Sequence, residues 1–300
     1  MSYYKCKKRS WICMTAHILP HNYEMVRQVS AGPYAYVYLV RNKADGEEVI
    51  AKCVSLADIS NEMRQSLKLA RRIGLELKHH NIIHAMKSPM DDGEHIMIQI
   101  TRYYNDRDLL TFIQKCKETS QFIPEESVWR CAVCLISAVA YLQSSHAKDN
   151  SALKPIAHKN IQPSNVLIDR DGNYVLTGFS YCVEMQETGL NLPETSDGTP
   201  KTRSVTYMAP ETIDNKQWDG RVDVWGIGCT LYEMCTGMKY VEAVTPKFAL
   251  KEITTTEMPP RLLGYSPDLV DLVGRMLLAD FRKRPQISDL FSDERIQSRM

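Results

Sequence analysis

Apolar positions change their spacing twice along the chain. Residues 23–54 alternate. Tyr23-Glu-Met-Val-Arg-Gln-Val, Tyr36-Val-Tyr-Leu-Val and Val49-Ile-Ala-Lys-Cys-Val each read as a strand, and Asp45-Gly46 makes the turn between the second and third. Over 61–77 the steps lengthen to three and four. Met63, Leu67, Ala70, Ile73, Gly74 and Leu77 fall on one helical face, and His79-His-Asn ends that helix. Ile82 to Met86 and His95 to Thr101 read as two more strands, joined at Asp91-Asp-Gly93. Beyond about residue 105 the pattern is mainly helical. Pro124-Glu-Glu opens a helix, with acids where the helix dipole favours them. Its apolar face runs Val128, Ala132, Leu135, Ile136, Val139, Leu142. A second helix starts near Arg221, carries Val224, Trp225, Ile227, Leu231 and Met234, and stops at Gly237. Leu269 to Leu278 is another, and Arg284-Pro285 begins a last short one. Residues 143–157 are polar and without period, and read as a loop inserted at a helix end. Five strands with one helix, then a mostly helical part, predict an α+β chain of two lobes, 22–104 and 105–292. A basic tail over 1–21 and a C-terminal tail over 293–300 flank them.

Composition narrows the class. The 300 residues suffice for one large domain or two small ones. Hydrophobic residues at 44% and charged residues at 24% match soluble globular proteins and exclude disorder and collagen. Lys plus Arg is 37 and Asp plus Glu 36, a net charge of +1 that gives no drive toward nucleic acid or anionic membrane. The longest apolar stretch, Val224 to Tyr232, falls well short of the roughly 20 residues a membrane span needs. No fixed-period repeat or low-complexity run is visible. The nine cysteines are odd in number and scattered, which suits reduced thiols in the cytosol. Cys131-Ala-Val-Cys134 sits in an apolar helical stretch and reads as packing, not redox or metal chemistry. Lys5, Lys7, Lys8 and Arg9 before Trp11–Leu19 have the outline of a signal peptide. The apolar part is short, holds Thr15 and His17, and lacks a small-residue cleavage site, so a basic cytosolic tail is expected. Ser2 excludes a myristoylation signal.

The chemistry-bearing motifs stand in a fixed order. Ser30-Ala-Gly-Pro-Tyr-Ala-Tyr-Val37 lies in a strand-turn-strand setting, and Lys52 ends the third strand. His158-Lys-Asn-Ile-Gln-Pro-Ser-Asn165-Val-Leu, Gly178-Phe-Ser180, Met208-Ala-Pro-Glu211, Asp223-Val-Trp-Gly and Arg284-Pro285 follow. Together, over about residues 22–292, they resemble a protein kinase domain. Val205-Thr-Tyr-Met-Ala-Pro-Glu211, Leu77-Lys-His79-x-Asn-Ile and the insertion before His158 are most similar to the NIMA-related (NEK) serine/threonine group, at its divergent end. The resemblance implies a bilobal protein-kinase-like fold, with a five-stranded N-lobe carrying one helix and a mainly helical C-lobe.

The departures from the family pattern bear on catalysis. Phosphoryl transfer needs a glycine loop and a lysine on the phosphates, metals on their oxygens, and a carboxylate for the substrate hydroxyl. In H-R-D the aspartate takes that proton, and here the position is Asn160. A neutral amide is no useful base, a loss of about 10²–10⁴ in rate. The phosphate-contacting lysine two residues on is Gln162. The metal-binding aspartate of D-F-G is Gly178, which offers no side-chain oxygen. Asn165 remains as the second, weak metal ligand, and Asp169 and Asp171 are near in sequence but belong to the strand and turn before the metal loop. Lys52 matches the lysine that touches the α- and β-phosphates, against the plainer reading of a strand lysine reaching solvent. Its glutamate partner, nine positions before His79, is Ala70; Glu62 is two helical turns away and Glu76 on another face. G-x-G-x-x-G becomes Ser30-x-Gly32-x-x-Ala35, and Pro33 removes a backbone donor. Val37, Ile50 and Leu167 match the apolar walls of the adenine pocket, and Thr101 to Tyr104 match the hinge.

Structural positions are kept. Glu211 and Arg284 match the family's buried ion pair, Asp223 the aspartate that holds the catalytic-loop backbone, and His158 and Phe179 two members of the apolar column. Ser196, Thr199, Thr202 and Ser204 in the activation segment are candidate phosphorylation sites or ordinary loop residues. The usual phosphate receiver there is Lys159, which lacks arginine's fork. His79, His80 and His84 fit no strong zinc pattern and read as loop and strand histidines. Lys5-Cys-Lys-Lys-Arg9 reads as a solvated tail, not a nucleic-acid site. The expectation is a pseudokinase: a scaffold or allosteric regulator acting through protein partners, such as an active kinase or a cytoskeletal component. ATP binding is residual and magnesium doubtful. Neither nucleic acid nor membrane is expected as a partner. Location is cytoplasmic, with a cytoskeletal association by family analogy alone. The alternatives are a low-activity serine/threonine kinase with an atypical metal site, and a nucleotide sensor.

Overall fold

A computed structural model describes residues 19–32, 35–57, 59–91, 96–105, 108–146, 151–186, 191, 205–243, 245–255 and 264–300. The chain divides into two compact units, Met1–Leu75 with Ile83–Asn105, and Glu76–Ile82 with Asp106–Met300.

The first unit is an antiparallel sheet and one helix. Strands β1 (Tyr23–Ala31), β2 (Ala35–Asn42), β3 (Glu48–Ser55), β4 (Ala85–Lys87), β5 (Met90–Asp91) and β6 (Ile96–Arg102) take the order β1-β2-β3-β6-β4, with β5 also pairing β6. The turn between β2 and β3 closes through Gly46 N–H on Asn42 O at 2.8 Å, with Gly46 at φ 77°, where a side chain would be strained. Alternation then sorts the side chains. Tyr38, Val40, Val49, Ala51, Cys53, Ile98 and Ile100 form one cluster with Leu19 and Tyr23. Val54 and Met97 lie on the opposite face, under Leu67 and Met63 of helix α1 (Asn61–Glu76). Each such buried side chain contributes about 1.5–3 kcal/mol. Two details differ from the sequence reading. The fourth strand begins at Ala85, not Ile82, because Ile82 bridges Leu176 and Asn81 O accepts the Leu176 N–H at 2.8 Å, both in the second unit. The two-residue β5 is an addition to the five expected strands.

The second unit is mainly helical. Its helices are α2 (Leu109–Glu118), α3 (Glu125–Leu142), α4 (Pro210–Ile213), α5 (Arg221–Thr236), α6 (Pro246–Thr255), α7 (Pro267–Met276), α8 (Ile287–Phe291) and α9 (Glu294–Gln297). Helix α5 is buried from Val222 to Met234 with no polar face, which marks it as the centre of the core. Helix α3 packs on it, on α8 and on the hairpin of β8 (Val166–Ile168) and β9 (Tyr174–Leu176). Cys131 and Cys134 are buried thiols on α3, and burial pushes both pKa values up. Helices α2 and α6 escape the apolar pattern. Asp108 caps α2 by accepting the Thr111 N–H at 2.8 Å.

Three further expectations are corrected. The last short helix begins at Ile287 with a Gln286–Asp289 capping box, not at Arg284, whose side chain is needed inside. Residues 293–300 are not a loose tail: they carry α9, and Ile296 is fully buried. The 143–157 insertion is a loop but not a wholly solvated one: Ser144, Ser145, Ala152 and Lys154 are exposed, and other residues pack inward. His146, Leu153, Ile156 and Ala157 are buried, and β7 (Ile156–Ala157) pairs with β10 (Val183–Glu184). The basic tail lies outside the described residues up to position 18. Among the described residues, no helix is long and apolar enough to cross a membrane.

Candidate functional site

In the first unit, strand register collects four of the expected positions. Val37 lies opposite Lys52, and Lys52 opposite Gln99; Leu39 lies opposite Ile50, and Ile50 opposite Thr101. With a period of two, Val37, Ile50, Lys52 and Thr101 therefore share one face of the sheet. Tyr104 follows just past β6, half-buried. Gly32 N–H donates to Ala35 O at 2.7 Å, and among the described residues a Cβ on Gly32 would meet that oxygen at 3.5 Å, an ordinary contact. Pro33 lies outside the described residues. Lys52 is half-buried, and burial lowers its ammonium pKa. No carboxylate among the described residues pairs with it. Ala70 is buried on α1, and Glu76 instead accepts from Ser151 Oγ at 2.7 Å in the second unit. No motif or spacing points to Gln99: a Cβ on Gly74 would lie 2.6 Å from its Nε2, so α1 rests closely on β6 there.

In the second unit, the loop after β7 is held from below. Asp223, at the start of α5, accepts the backbone N–H of His158 at 2.9 Å and of Lys159 at 2.7 Å, and Gln143 Nε2 at 3.0 Å. Burial pushes this carboxyl up and these bonds pull it down, burial being the larger. His158 is buried. Its Nδ1 accepts the Asn160 N–H at 3.2 Å, so its Nε2 carries the hydrogen and donates to Thr177 O at 3.0 Å. Its ring meets Phe179 edge-on at 5.0 Å between centroids.

The polar end of the loop is a chain of amides. Gln162 Nε2 donates to Asn160 Oδ1 at 3.0 Å, and Asn165 Nδ2 donates to Asn160 O at 2.8 Å. Asn165 ends a 3₁₀ turn, Pro163–Asn165, and Leu167 follows it on β8, half-buried. Gly178 takes the left-handed conformation, φ 87° and ψ 37°, immediately before the turn Phe179–Tyr181. Asn160, Gln162 and Asn165 carry no charge, so this cluster offers neither a base nor a cation to a transferring group. A divalent cation fits it poorly. Such ions take about six oxygens, carboxylates among them, and no group of three or more His, Cys, Asp or Glu able to hold a metal exists among the described residues. Asp169 is occupied elsewhere. It accepts the N–H of Asp171 and Asn173 at 2.9 and 2.7 Å, closing the hairpin turn at the far end of β8 from Asn165. Asp171 is exposed on that turn.

Two supporting contacts complete the unit. Arg284 grips Glu211 with both terminal nitrogens, at 2.8 and 3.2 Å. Lys159, at φ 62°, places Nζ 4.2 Å from the ring centroid of Trp218. Trp218 in turn exchanges backbone hydrogen bonds with Asn191. No periodicity marks Trp218 as Lys159's neighbour. Ser196, Thr199, Thr202 and Ser204 lie outside the described residues. His79 stacks on Tyr141 at 4.9 Å and its Nε2 is 3.2 Å from Ser137 Oγ; His80 and His84 are exposed.

Comparison with known proteins agrees with this frame. The family profile described as protein kinase domain matches residues 23–295. The probable serine/threonine-protein kinase nek2 of Dictyostelium discoideum is 27% identical over 268 residues, 89% of this chain and 61% of that protein. Serine/threonine-protein kinase Nek2 of Homo sapiens is 26% identical over 282 residues, 91% of this chain and 61% of that protein. Serine/threonine-protein kinase Nek4 of Mus musculus is 27% identical over 268 residues, 89% of this chain but 32% of that protein. The chain thus spans a third to three-fifths of these relatives.

Proposed function

Since the chain belongs to the protein kinase family, with Nek serine/threonine kinases among its relatives, we propose that it is a pseudokinase. It keeps the kinase fold and works by binding protein partners, as a scaffold or an allosteric regulator of an active kinase. One observation carries this reading. The position that would accept the substrate's proton is Asn160, whose side-chain oxygen already accepts from the Gln162 amide. Losing a general base alone lowers a rate by about 10²–10⁴. Without a cation at 162 and a carboxylate at 178, the electrostatic stabilisation that phosphoryl transfer relies on is missing as well.

Residual nucleotide binding is part of the proposal. Val37 and Ile50 offer apolar side chains on the face of the sheet that carries Lys52, with Thr101 opposite Ile50. A half-buried ammonium with a lowered pKa gains from an anionic neighbour, so Lys52 suits a phosphate group. The same lysine favours a second reading, a nucleotide sensor in which ATP changes conformation without chemistry. A low-activity kinase with an atypical metal site is the third, supported by Lys52 and Asn165. We expect a cytoplasmic location from the free thiols, with a cytoskeletal association by analogy with the family alone.

Thermal unfolding with ATP, with and without magnesium, separates these readings. A ligand at 100 times its Kd adds about 2.7 kcal/mol of stability. A shift indifferent to magnesium supports the sensor form of the proposal, and no shift supports a pure scaffold. A shift that requires magnesium, followed by transfer to a protein substrate, contradicts both.

A further inference from the structure

We propose that Asn165 is a structural plug instead of a cation ligand, and that Asn165 and Gly178 are a matched pair that closes this loop to a divalent ion. The proposal takes from the reading above only the identity of the ion. The pair itself rests on packing within the second unit.

Asn165 is tied at both ends. Its side-chain Nδ2 donates to Asn160 O at 2.8 Å, and its backbone carbonyl accepts the Thr177 N–H at 2.9 Å. Held this way, the planar amide lies across Gly178. A Cβ built on Gly178 would sit 2.5 Å from both Cγ and Oδ1 of Asn165, and 2.7 Å from Nδ2. The overlap involves the whole amide group, and rotating it away breaks the bond to Asn160. Gly178 also has φ 87°, where a side chain is strained whatever the space. Any side chain at 178 must therefore evict Asn165.

The consequence for a cation is direct. With Nδ2 committed to Asn160, Asn165 has only Oδ1 to offer, and that oxygen lies 2.5 Å from where a Cβ of residue 178 would sit. The other side chains of its hydrogen-bonded network, Asn160 and Gln162, offer only neutral amide oxygens, and Asn160 Oδ1 already accepts from Gln162. A hard cation needs several oxygens at once, and charged ones to offset its dehydration. The glycine at 178 is thus not a simple deletion that one substitution reverses. A carboxylate returned at 178 meets the plug.

The test uses the full chain, with Mn²⁺ alone as the probe, read by water-proton relaxation, and thermal unfolding in parallel. Wild type and Gly178→Asp are expected to show no saturable Mn²⁺ effect. Gly178→Asp is expected to lower Tm by about 5 °C or more, from overlap and strain. Combining it with Asn165→Ala is expected to recover part of that loss, so the two changes are non-additive. The double variant is not expected to gain a Mn²⁺ effect, because one carboxylate at 178 supplies too few oxygens. Should Gly178→Asp fail to fold, Gly178→Ala carries the Tm coupling test with Asn165→Ala, because its Cβ alone meets the amide. Gly178→Asp melting with wild type, strictly additive Tm losses, or a wild-type Mn²⁺ effect abolished by Asn165→Ala would each overturn the pairing. Phosphotransfer by the wild-type chain would sink the pseudokinase reading and leave this coupling intact.

Discussion

Replacing Arg284 with methionine removes five hydrogen bonds and strands a buried carboxylate. The guanidinium donates to both oxygens of Glu211, to Arg221 O at 2.9 Å, and twice to Leu278 O at 2.9 and 3.1 Å. It also lies 5.0 Å from the ring centroid of Trp225. Side-chain exposure is 0% for Arg284 and 4% for Glu211, so water cannot take over either partner. Breaking such a pair from one side costs about 3–5 kcal/mol, because the remaining charge stays buried. At about 2–4 °C per kcal/mol for a domain of this size, Tm falls by roughly 6–20 °C. Three of the four tryptophans, Trp129, Trp218 and Trp225, belong to the second unit, so tryptophan fluorescence in urea, read in a Trp11→Phe background, reports on the unit at stake. Glu211→Gln is expected to behave like Arg284→Met. The double change Glu211→Leu/Arg284→Met is expected to lose much less than the sum of the singles, since it leaves no orphan charge. A loss under about 1 kcal/mol in Arg284→Met, or strict additivity, would refute the reasoning.

Three other outcomes follow from the same geometry. Hydrogen bonds from Arg295 hold the Asp293 carboxyl at about 2, below its ordinary 3.8. Its contribution to stability is therefore complete above the ordinary value and is lost as pH falls from there toward about 2; Arg295→Met is expected to flatten that acid limb in urea midpoints measured from neutral to acid pH. A double-mutant cycle on Lys159→Met and Trp218→Leu is expected to show a coupling of about 0.5–2 kcal/mol, and a coupling near zero would remove the cation–π contact from the account. Ile296→Ala is expected to cost about 2–5 kcal/mol in chemical denaturation, as for any fully buried isoleucine, and a neutral change would return 293–300 to the status of a tail.

The sequence pattern located elements whose apolar residues repeat cleanly and missed those held by other means. Strands β1 to β3 and helices α1, α3 and α5 announce themselves through alternation or three-and-four spacing. Helix α2 shows three buried residues, Leu109, Ile113 and Cys116, among lysines and threonines, and is fixed by the Asp108 cap instead. Residues 76–82 look like the link between a helix and a strand, yet Asn81 and Ile82 bond to Leu176, a pairing no local pattern encodes. The 143–157 stretch is polar by count, yet Leu153, Ile156 and Ala157 are buried in it, and so are His146 and Ser151. At the site, motif spacing identified Asn160, Gln162, Asn165 and Gly178 one by one. That Asn165 fills the space beside Gly178, and that Trp218 covers Lys159, depends on side chains meeting from distant segments, where spacing along the chain carries no information.

The central claim is that this chain has the kinase fold and does not transfer phosphate. The most direct test is phosphotransfer from γ-labelled ATP with magnesium, using the full chain at high concentration and Asn160→Ala alongside. The account predicts that wild type and Asn160→Ala incorporate label at the same background level. Magnesium-dependent transfer above that background, abolished by Lys52→Met, would contradict it.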